Sequence, residues 1–199
     1  MQLIKMDGLG YFNWYSNVRR ILTDYNYEYV MEQDLPVAQC NKVLDVLKSM
    51  MYDEFKTKCI TELSSYPVLR TYIQFKNTFG LESYLVLIKN HSLRSQLSKF
   101  RLSSHSLAIE KGRHAKPKIP VEKRVCVHCK QDIEDELHFV MFCSCFNAQR
   151  QTFFNKCNIK VDDNQKTIFC KIMSSEDESI LIQLCIFIKK CLKIRSSYL

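Results

Sequence analysis

The sequence predicts a mostly α-helical fold, in which a helical lobe is followed by a small Cys/His-rich lobe packed on C-terminal helices. Three observations lead to this prediction. The chain of 199 residues has only four glycines and four prolines, too few for the turns of many short strands. Its apolar residues recur at spacings of three and four, the period of an α-helix. A short segment after residue 125 gathers three cysteines and a histidine, residue types that hold metal ions.

Helical patterns cover most of the first hundred residues. Trp14, Val18 and Ile21 lie on one face of a short amphipathic helix. Asp34 precedes Leu35 and Pro36, a combination typical of the start of a helix, and apolar residues then repeat as far as Pro67. The predicted helical segments are residues 13–25, about 34–64, 68–76, 82–88 and the region that continues the pattern to residue 102.

The second half of the chain changes in character at residue 103. Residues 103–124 contain a glycine, two prolines and few large apolar residues, which predicts an exposed connector. Helices are predicted from about residue 136 to 156 and again after Ser175, where acidic residues favour the positive end of a helix. The predicted organisation is therefore a helical lobe (1–102), a basic connector (103–124) and a metal lobe with C-terminal helices (125–199).

Positive charge is concentrated in one part of the sequence. The formal net charge is +8, and residues 89–124 alone carry ten Lys or Arg against two Glu. Concentrated positive charge is typical of a surface that binds a polyanion, most simply a nucleic acid. A solvated basic loop that keeps the protein soluble has the same composition, and composition alone leaves both interpretations open.

The candidate metal ligands are three cysteines and one histidine. Cys126 and Cys129 are separated by two residues, a spacing with which a tight turn directs both sulfurs at one ion. His138 follows after eight residues, and four more separate it from Cys143. Structural zinc takes four sulfur or nitrogen ligands in a tetrahedron and keeps no open position. We therefore predict a CCHC zinc knuckle in which the cofactor is zinc and the ligands are Cys126, Cys129, His138 and Cys143.

Two neighbouring residues leave the ligand set open. His128 lies inside the turn between the first two cysteines and could compete as a ligand, although its side chain is expected to point away from the ion. Cys145 lies two residues beyond Cys143 and could replace it after a small shift in register. We expect both to be neighbours of the site. The other six cysteines stand singly in apolar, helix-like stretches and are predicted to fill the core: Cys40, Cys59, Cys157, Cys170, Cys185 and Cys191.

The N-terminal residues lack the apolar core and the cleavage site of a secretory signal. The sequence contains no run of about 18 apolar residues, the length that would predict a membrane span. We therefore expect an intracellular protein of the nucleus or the cytoplasm, or both, with no membrane partner. In such a reducing compartment, cysteines bind metal or fill cores and do not form a disulfide framework.

Three segments carry a resemblance to a known family: RSQLSKFRLSSHSLAIEKGRH (94–114), EKRVCVHC (122–129) and IEDELHFVMFCSCFNAQRQ (133–151). They resemble the C-terminal region of non-LTR (LINE-type) retrotransposon polyproteins, where a basic segment precedes a CCHC zinc motif. The positions that match this basic segment are Arg101, Ser103, His105, Leu107, Ile109, Glu110, Gly112 and Arg113. The chain departs from the family at Cys145 and Phe146, where proline and tyrosine are more frequent, and at His114, where an aromatic residue is more usual.

This resemblance implies a metal-stabilised, nucleic-acid-binding C-terminal fragment of a reverse-transcriptase polyprotein. Its partners would be RNA or DNA and the upstream polymerase domain of the same polyprotein. The polymerase signature Tyr-x-Asp-Asp is absent from the sequence, and four protein ligands leave a zinc ion without an open position. We therefore expect no reaction by the chain itself and no small-molecule substrate.

Basic residues of the connector are the candidate phosphate contacts. Arg101 and His105 have an equally supported structural interpretation, in which they tie the connector to the helical lobe through Glu110. A second functional class is a protein-interaction scaffold that docks the polymerase core or another partner, and a large exposed apolar patch on the last helix would favour it. The predicted nucleic-acid-binding residues are Arg101, His105, Lys111, Arg113, Lys116, Lys118, Lys123 and Arg124.

Overall fold

The computed structural model describes residues 14–76, 79–161 and 164–197, and these are mostly helical, as the sequence predicts. The chain divides into two units, Met1–Cys59 and Ile60–Leu199. The predicted metal ligands and the basic segment both belong to the second unit. Within the described ranges, the one isolated β-bridge joins Val125 to Ile133.

The first unit contains α1 (Trp14–Asp24), α2 (Tyr29–Glu32) and most of α3 (Val37–Ser64), whose last residues enter the second unit. The predicted first residue of α1, Asn13, lies outside the described residues. Leu22 and Leu47 are buried, and the Tyr25 hydroxyl donates a hydrogen bond to Glu54. The helix predicted from Asp34 begins slightly later, because the Pro36 carbonyl accepts the first helical amide hydrogen bonds, at 2.8 and 3.1 Å.

The second unit contains seven α-helices in its described part. They are α4 (Tyr72–Phe75), α5 (Ser83–Leu87), α6 (His91–Arg101), α7 (Ala108–His114), α8 (Asn147–Lys156), α9 (Gln165–Met173) and α10 (Glu178–Ser196). The sequence patterns did not predict α7 or α9. In α9 the Asn164 side chain caps the helix by accepting the Thr167 amide at 3.0 Å. Across the described residues, none of the helices combines the length and apolar character that a bilayer crossing requires.

The core of this unit forms around α10, which packs against α5, α6, α8 and α9. Its N-terminus is capped by Asp177, whose Oδ1 accepts the amides of Ser179 (2.7 Å) and Ile180 (3.1 Å). The predicted acidic start of the last helix is therefore found in the structure. The apolar residues that α10 buries are Leu181, Leu184, Cys185, Phe187, Ile188 and Cys191.

The predicted exposed connector, residues 103–124, is largely exposed in its second half but contains several buried residues in its first half. Leu107 and Ile109 are buried in the core, and α7 occupies the centre of the segment. The Ile109 amide also donates to the Glu134 carbonyl at 3.2 Å, which attaches α7 to the segment that carries the candidate metal ligands. The two units meet in sequence near residue 59, and the predicted connector belongs wholly to the second of them.

Candidate metal centre

A tight loop positions the first two cysteines. It is closed by the Val125–Ile133 bridge and by a hydrogen bond from the Cys126 amide to the Asp132 carbonyl at 2.8 Å. The Lys130 amide donates a hydrogen bond to the Cys126 carbonyl at 2.9 Å, and Lys130 lies in the left-handed region at φ 55°. This turn places Cys126 and Cys129 beside one another, as their spacing predicts.

A wide helical turn positions the other two candidate ligands. His138–Phe142 is a π-helix, and the Cys143 amide donates to the His138 carbonyl at 2.8 Å. In an α-helix, residues five apart are rotated by about 140° from each other. The i→i+5 hydrogen bond of the π-turn instead brings His138 and Cys143 back to the same side, and such turns are frequent at functional sites. The helix predicted over residues 136–156 is therefore a π-turn, a 3₁₀ turn (Ser144–Phe146) and α8 in succession.

The four side chains converge on one point. Among the described residues, the sulfurs of Cys126, Cys129 and Cys143 and a ring nitrogen of His138 lie within 4.8 Å of one another. Cys126 Sγ lies 3.9 Å from Cys143 Sγ, and Cys129 Sγ lies 3.3 Å from His138 Nε2. A tetrahedral zinc ion holds two sulfurs about 3.8 Å apart, whereas a disulfide holds them about 2.0 Å apart. The four residues are thus arranged to hold a metal ion.

This cluster is shielded from solvent. Cys126, Cys143 and His138 are 1%, 0% and 4% exposed, and Cys129 is half-buried. The hydrogen bond between the thiols of Cys143 and Cys126 lowers the pKa of Cys126 and, with burial, raises the pKa of Cys143. Nδ1 of His138 is buried without a hydrogen-bond partner in the described part of the chain. The chemistry of the donors, three sulfurs and one imidazole, matches what zinc prefers.

The two competing residues lie outside this group. Cys145 is exposed, and the ring of His128 packs edge-on against Phe146, with the ring centroids 6.3 Å apart. Neither belongs to the described group of four. Of the six cysteines predicted to be packing residues, Cys185 and Cys191 are buried and the other four are half-buried. Burial raises the pKa of Cys185 and Cys191 to about 12, so both remain thiols at neutral pH.

Glu134 connects the cluster to distant parts of the chain. Its carboxylate accepts two hydrogen bonds from the buried guanidinium of Arg195, at 2.6 and 2.7 Å. It also accepts the Ala108 amide at 2.6 Å, and its Oε1 lies 3.9 Å from Cys126 Sγ. The sequence indicated only that Glu134 favours a helix start. Its partner on α10 lies 61 residues away, and no local pattern predicts that pairing.

Glu136 is the second buried carboxylate beside the cluster. One oxygen accepts from Arg70 (2.9 Å) and Thr71 (2.8 Å), and the other from Ser103 (2.6 Å) and His105 (2.8 Å). Burial alone would raise its pKa, but the hydrogen bonds and positive charges around it outweigh burial and lower the pKa to about 2. Glu136 is therefore an anion that four donors hold in place.

Arg150 closes the far end of the π-turn. Its buried guanidinium donates to the Val140 carbonyl and to the Cys143 carbonyl, both at 2.7 Å. A turn that ends in the short 3₁₀ segment leaves carbonyls without helical partners, and a buried carbonyl without a partner is costly. Arg150 supplies those partners and so fixes the backbone of Cys143.

Two of the predicted phosphate contacts are buried and engaged within the protein. Arg101 is 4% exposed, donates to Glu82 at 2.7 Å and lies over the rings of Phe75 and Tyr84. His105 donates through Nε2 to Glu136 at 2.8 Å, and its Nδ1 accepts a hydrogen bond from the Leu107 amide at 3.4 Å. Neither side chain bonds Glu110, the partner that the structural interpretation expected, because Arg101 pairs with Glu82 and His105 with Glu136.

The other predicted contacts fall into two groups. Arg113 is half-buried and paired with Glu110, and Arg124 is half-buried and donates to the carbonyls of Ile109 (3.0 Å) and Ile119 (2.8 Å). The remaining four are exposed, and none forms an ion pair with a described residue: Lys111, Lys116, Lys118 and Lys123. We call these four side chains the lysine surface.

Replacing Gly112 by alanine is expected to destabilise the second unit by about 1–3 kcal/mol, the usual cost of overpacking. An added Cβ would lie 2.6 Å from Cγ of Arg124, and the two carbonyls that hold the guanidinium prevent the side chain from moving away. Urea unfolding of Gly112→Ala, Arg124→Ala and the double variant measures this. Gly112→Ala should cost little once Arg124 is truncated, and an equal cost in both backgrounds would contradict the packing argument.

Comparisons with protein-family models, with curated proteins and with solved structures found no match to this chain.

Proposed function

We propose that the second unit binds one structural zinc ion through Cys126, Cys129, His138 and Cys143. The observation that carries this proposal is the convergence of three thiols and one imidazole within 4.8 Å in a buried setting. Four protein ligands complete the tetrahedron and leave no position for a reacting water, so the ion stabilises the fold and the chain performs no reaction of its own. The tight loop and the π-turn then form a CCHC zinc knuckle, packed on the C-terminal helices.

The module uses the lysine surface to bind RNA or DNA through the phosphate backbone. Lysine side chains without carboxylate partners are available to replace counterions on phosphates, a mode of binding that carries little sequence preference. The segment that carries these lysines is joined to the candidate metal site because the Glu134 amide donates to the carbonyl of Arg124, two residues before Cys126, at 2.9 Å. Binding of the ion therefore fixes the segment that presents these lysines.

The origin of the module, in this proposal, is the C-terminal region of a retroelement polyprotein whose upstream polymerase is a partner. The support is the sequence motif, and its residues have interlocking structural roles. Ser103 and His105 bind Glu136, Glu110 binds Arg70 and Arg113, and Leu107 and Ile109 enter the core. Because these contacts join the basic segment to the CCHC site, we expect the basic segment and the CCHC site to occur together as one structural unit.

Neutralising the lysine surface is expected to weaken nucleic-acid binding and its dependence on salt. The test compares the wild type with a variant in which Lys111, Lys116, Lys118 and Lys123 are glutamine, using single-stranded RNA and DNA across a salt series. If all four side chains contact phosphates, the slope of log affinity against log salt should fall by about 3, because each contact contributes roughly 0.7–0.9.

A second quadruple variant with the same change in charge is the matched control. It replaces Lys156, Lys160, Lys166 and Lys171, which are also exposed but lie outside the basic segment, by glutamine. The control should keep most of the wild-type slope. Equal losses in the two variants would mean that net charge alone attracts the nucleic acid, and the lysine surface would lose its role.

The second candidate function, a protein-interaction scaffold, is supported by apolar exposure on α3. Its exposed side chains include Leu44, Met50, Tyr52 and Phe55. On the last helix, where the sequence suggested an apolar docking patch, the large apolar residues of the described part are buried or half-buried. A zinc-loaded protein whose wild type shows no salt-sensitive binding to RNA or DNA would favour this second function.

A further inference from the structure

Arg195 lies deep in the second unit, next to the cluster of candidate ligands. Its side chain is 1% exposed, and its guanidinium forms two parallel hydrogen bonds with Glu134. Glu134 in turn places Oε1 3.9 Å from Cys126 Sγ. The Arg195–Glu134 pair therefore links the last turn of α10 to Cys126, although no residue of α10 belongs to the group of four described ligands.

The charges in this arrangement have opposite effects on a bound metal. Cysteine binds zinc as the thiolate, so three thiolates and one Zn²⁺ leave a net charge of −1 at the proposed site. The Glu134 carboxylate adds a second negative charge beside the Cys126 sulfur, in surroundings where water does not screen it. Arg195 supplies the compensating positive charge, and its bidentate contact keeps that charge fixed.

We propose that Arg195 is an outer-shell residue of the metal site, whose positive charge raises the affinity of the cluster for zinc by compensating Glu134. This inference rests on the proposed zinc site and extends it to α10. The affinity of the site for zinc then depends on the docked position of α10, and binding of the ion favours that position in return. Outer-shell partners of metal ligands change affinity by roughly 10–100-fold when they are replaced.

The test measures zinc affinity by competition with a chromophoric chelator for three variants of the full chain. Arg195→Gln removes the positive charge and is expected to weaken binding by roughly 10–100-fold. Glu134→Gln removes the opposing negative charge and should leave binding at least as tight as in the wild type. The double variant should return to near the wild-type affinity, because the two charges are removed together.

A purely structural role for the pair predicts a different pattern. Both single variants would then weaken zinc binding, since each leaves one buried partner without the other. Arg101→Gln is the matched control, because it also breaks a buried arginine–carboxylate pair, with Glu82, but lies outside the metal cluster. It should reduce stability and leave zinc affinity unchanged. The visible spectrum of the Co²⁺-loaded variants reports whether the tetrahedral site remains intact.

Each outcome decides between the proposals. If the wild type binds neither Zn²⁺ nor Co²⁺, the proposed zinc site itself is contradicted. If the wild type binds zinc, and Glu134→Gln lowers the zinc affinity as much as Arg195→Gln does, only the proposed role of Arg195 is contradicted. If Arg195→Gln does not fold, Arg195→Lys takes its place. That variant keeps the charge and should retain affinity to within a few-fold, so a loss as large as that expected for Arg195→Gln would overturn the inference.

Discussion

Replacing Cys143 by serine is expected to abolish stable zinc binding and to unfold the metal lobe. Structural zinc contributes roughly 10–16 kcal/mol of apparent binding free energy, comparable with the total stability of a typical domain. A serine hydroxyl does not supply the thiolate that completes the tetrahedron. Because Cys143 is fully buried beside Cys126, water cannot easily serve as a substitute ligand. Thermal unfolding and the metal content of the purified variant measure the effect.

Cys145→Ser is the matched control for this variant. Cys145 lies two residues further along the chain and is exposed, and it is not one of the four converging residues. The control should retain one zinc ion per chain and the wild-type melting temperature. If Cys145→Ser loses the metal and Cys143→Ser keeps it, the register of the fourth ligand is wrong.

The second large effect is expected for Glu136→Gln, which should destabilise the second unit by about 3–5 kcal/mol. All four partners of the carboxylate donate hydrogen bonds to it, two to each oxygen. A glutamine side chain keeps one oxygen but turns the other position into a donor, which would face two donors. The change also leaves the Arg70 guanidinium with one carboxylate instead of two. Urea unfolding of the zinc-loaded protein gives the loss in free energy directly.

The control for this prediction is Glu122→Gln, which removes the same charge from an exposed carboxylate in the same unit. Its free energy of unfolding should stay within about 0.5 kcal/mol of the wild type, as is usual for surface substitutions. A cost for Glu136→Gln that is no larger than this control would mean that the four hydrogen bonds contribute little to the stability of the fold.

The sequence predicted the helical class and the longer helices well, because these depend on local patterns. The repeat of apolar residues in α3 and the acidic start of α10 are readable within a few turns of the chain. The helix α7 was missed because its seven residues include a glycine and several charges. Its Ala108 and Ile109 amides are bonded by Glu134, which lies far along the chain. Contacts of that kind follow from tertiary structure, and a local pattern does not contain them.

The four candidate ligands were also predictable, because the spacing of cysteine and histidine is itself a constraint of metal binding. The π-turn was not, since the sequence between His138 and Cys143 is equally compatible with an α-helix. The roles of Glu134 and Glu136 were missed for another reason. Their main partners, Arg195 and Arg70, lie 61 and 66 residues away, and in sequence both acids only indicate a helix start.

In the basic segment, residue type distinguishes the buried positive charges from the exposed ones. Composition assigns the same charge to Arg101 and Lys111, but the structure buries Arg101 against Glu82 and leaves Lys111 exposed. Arginine is suited to buried pairs because its planar guanidinium satisfies several acceptors at once, whereas lysine stays near water. A division of the basic segment by residue type, with arginines inside and lysines outside, would have predicted this arrangement.

The metal content of the purified full chain tests the central proposal most directly. Elemental analysis combined with a chelator titration should find one zinc ion per chain, and its removal should unfold the metal lobe in a way that added Zn²⁺ or Co²⁺ reverses. A chain that contains no metal, keeps its native circular dichroism and melts at the same temperature with and without added zinc would contradict the proposal.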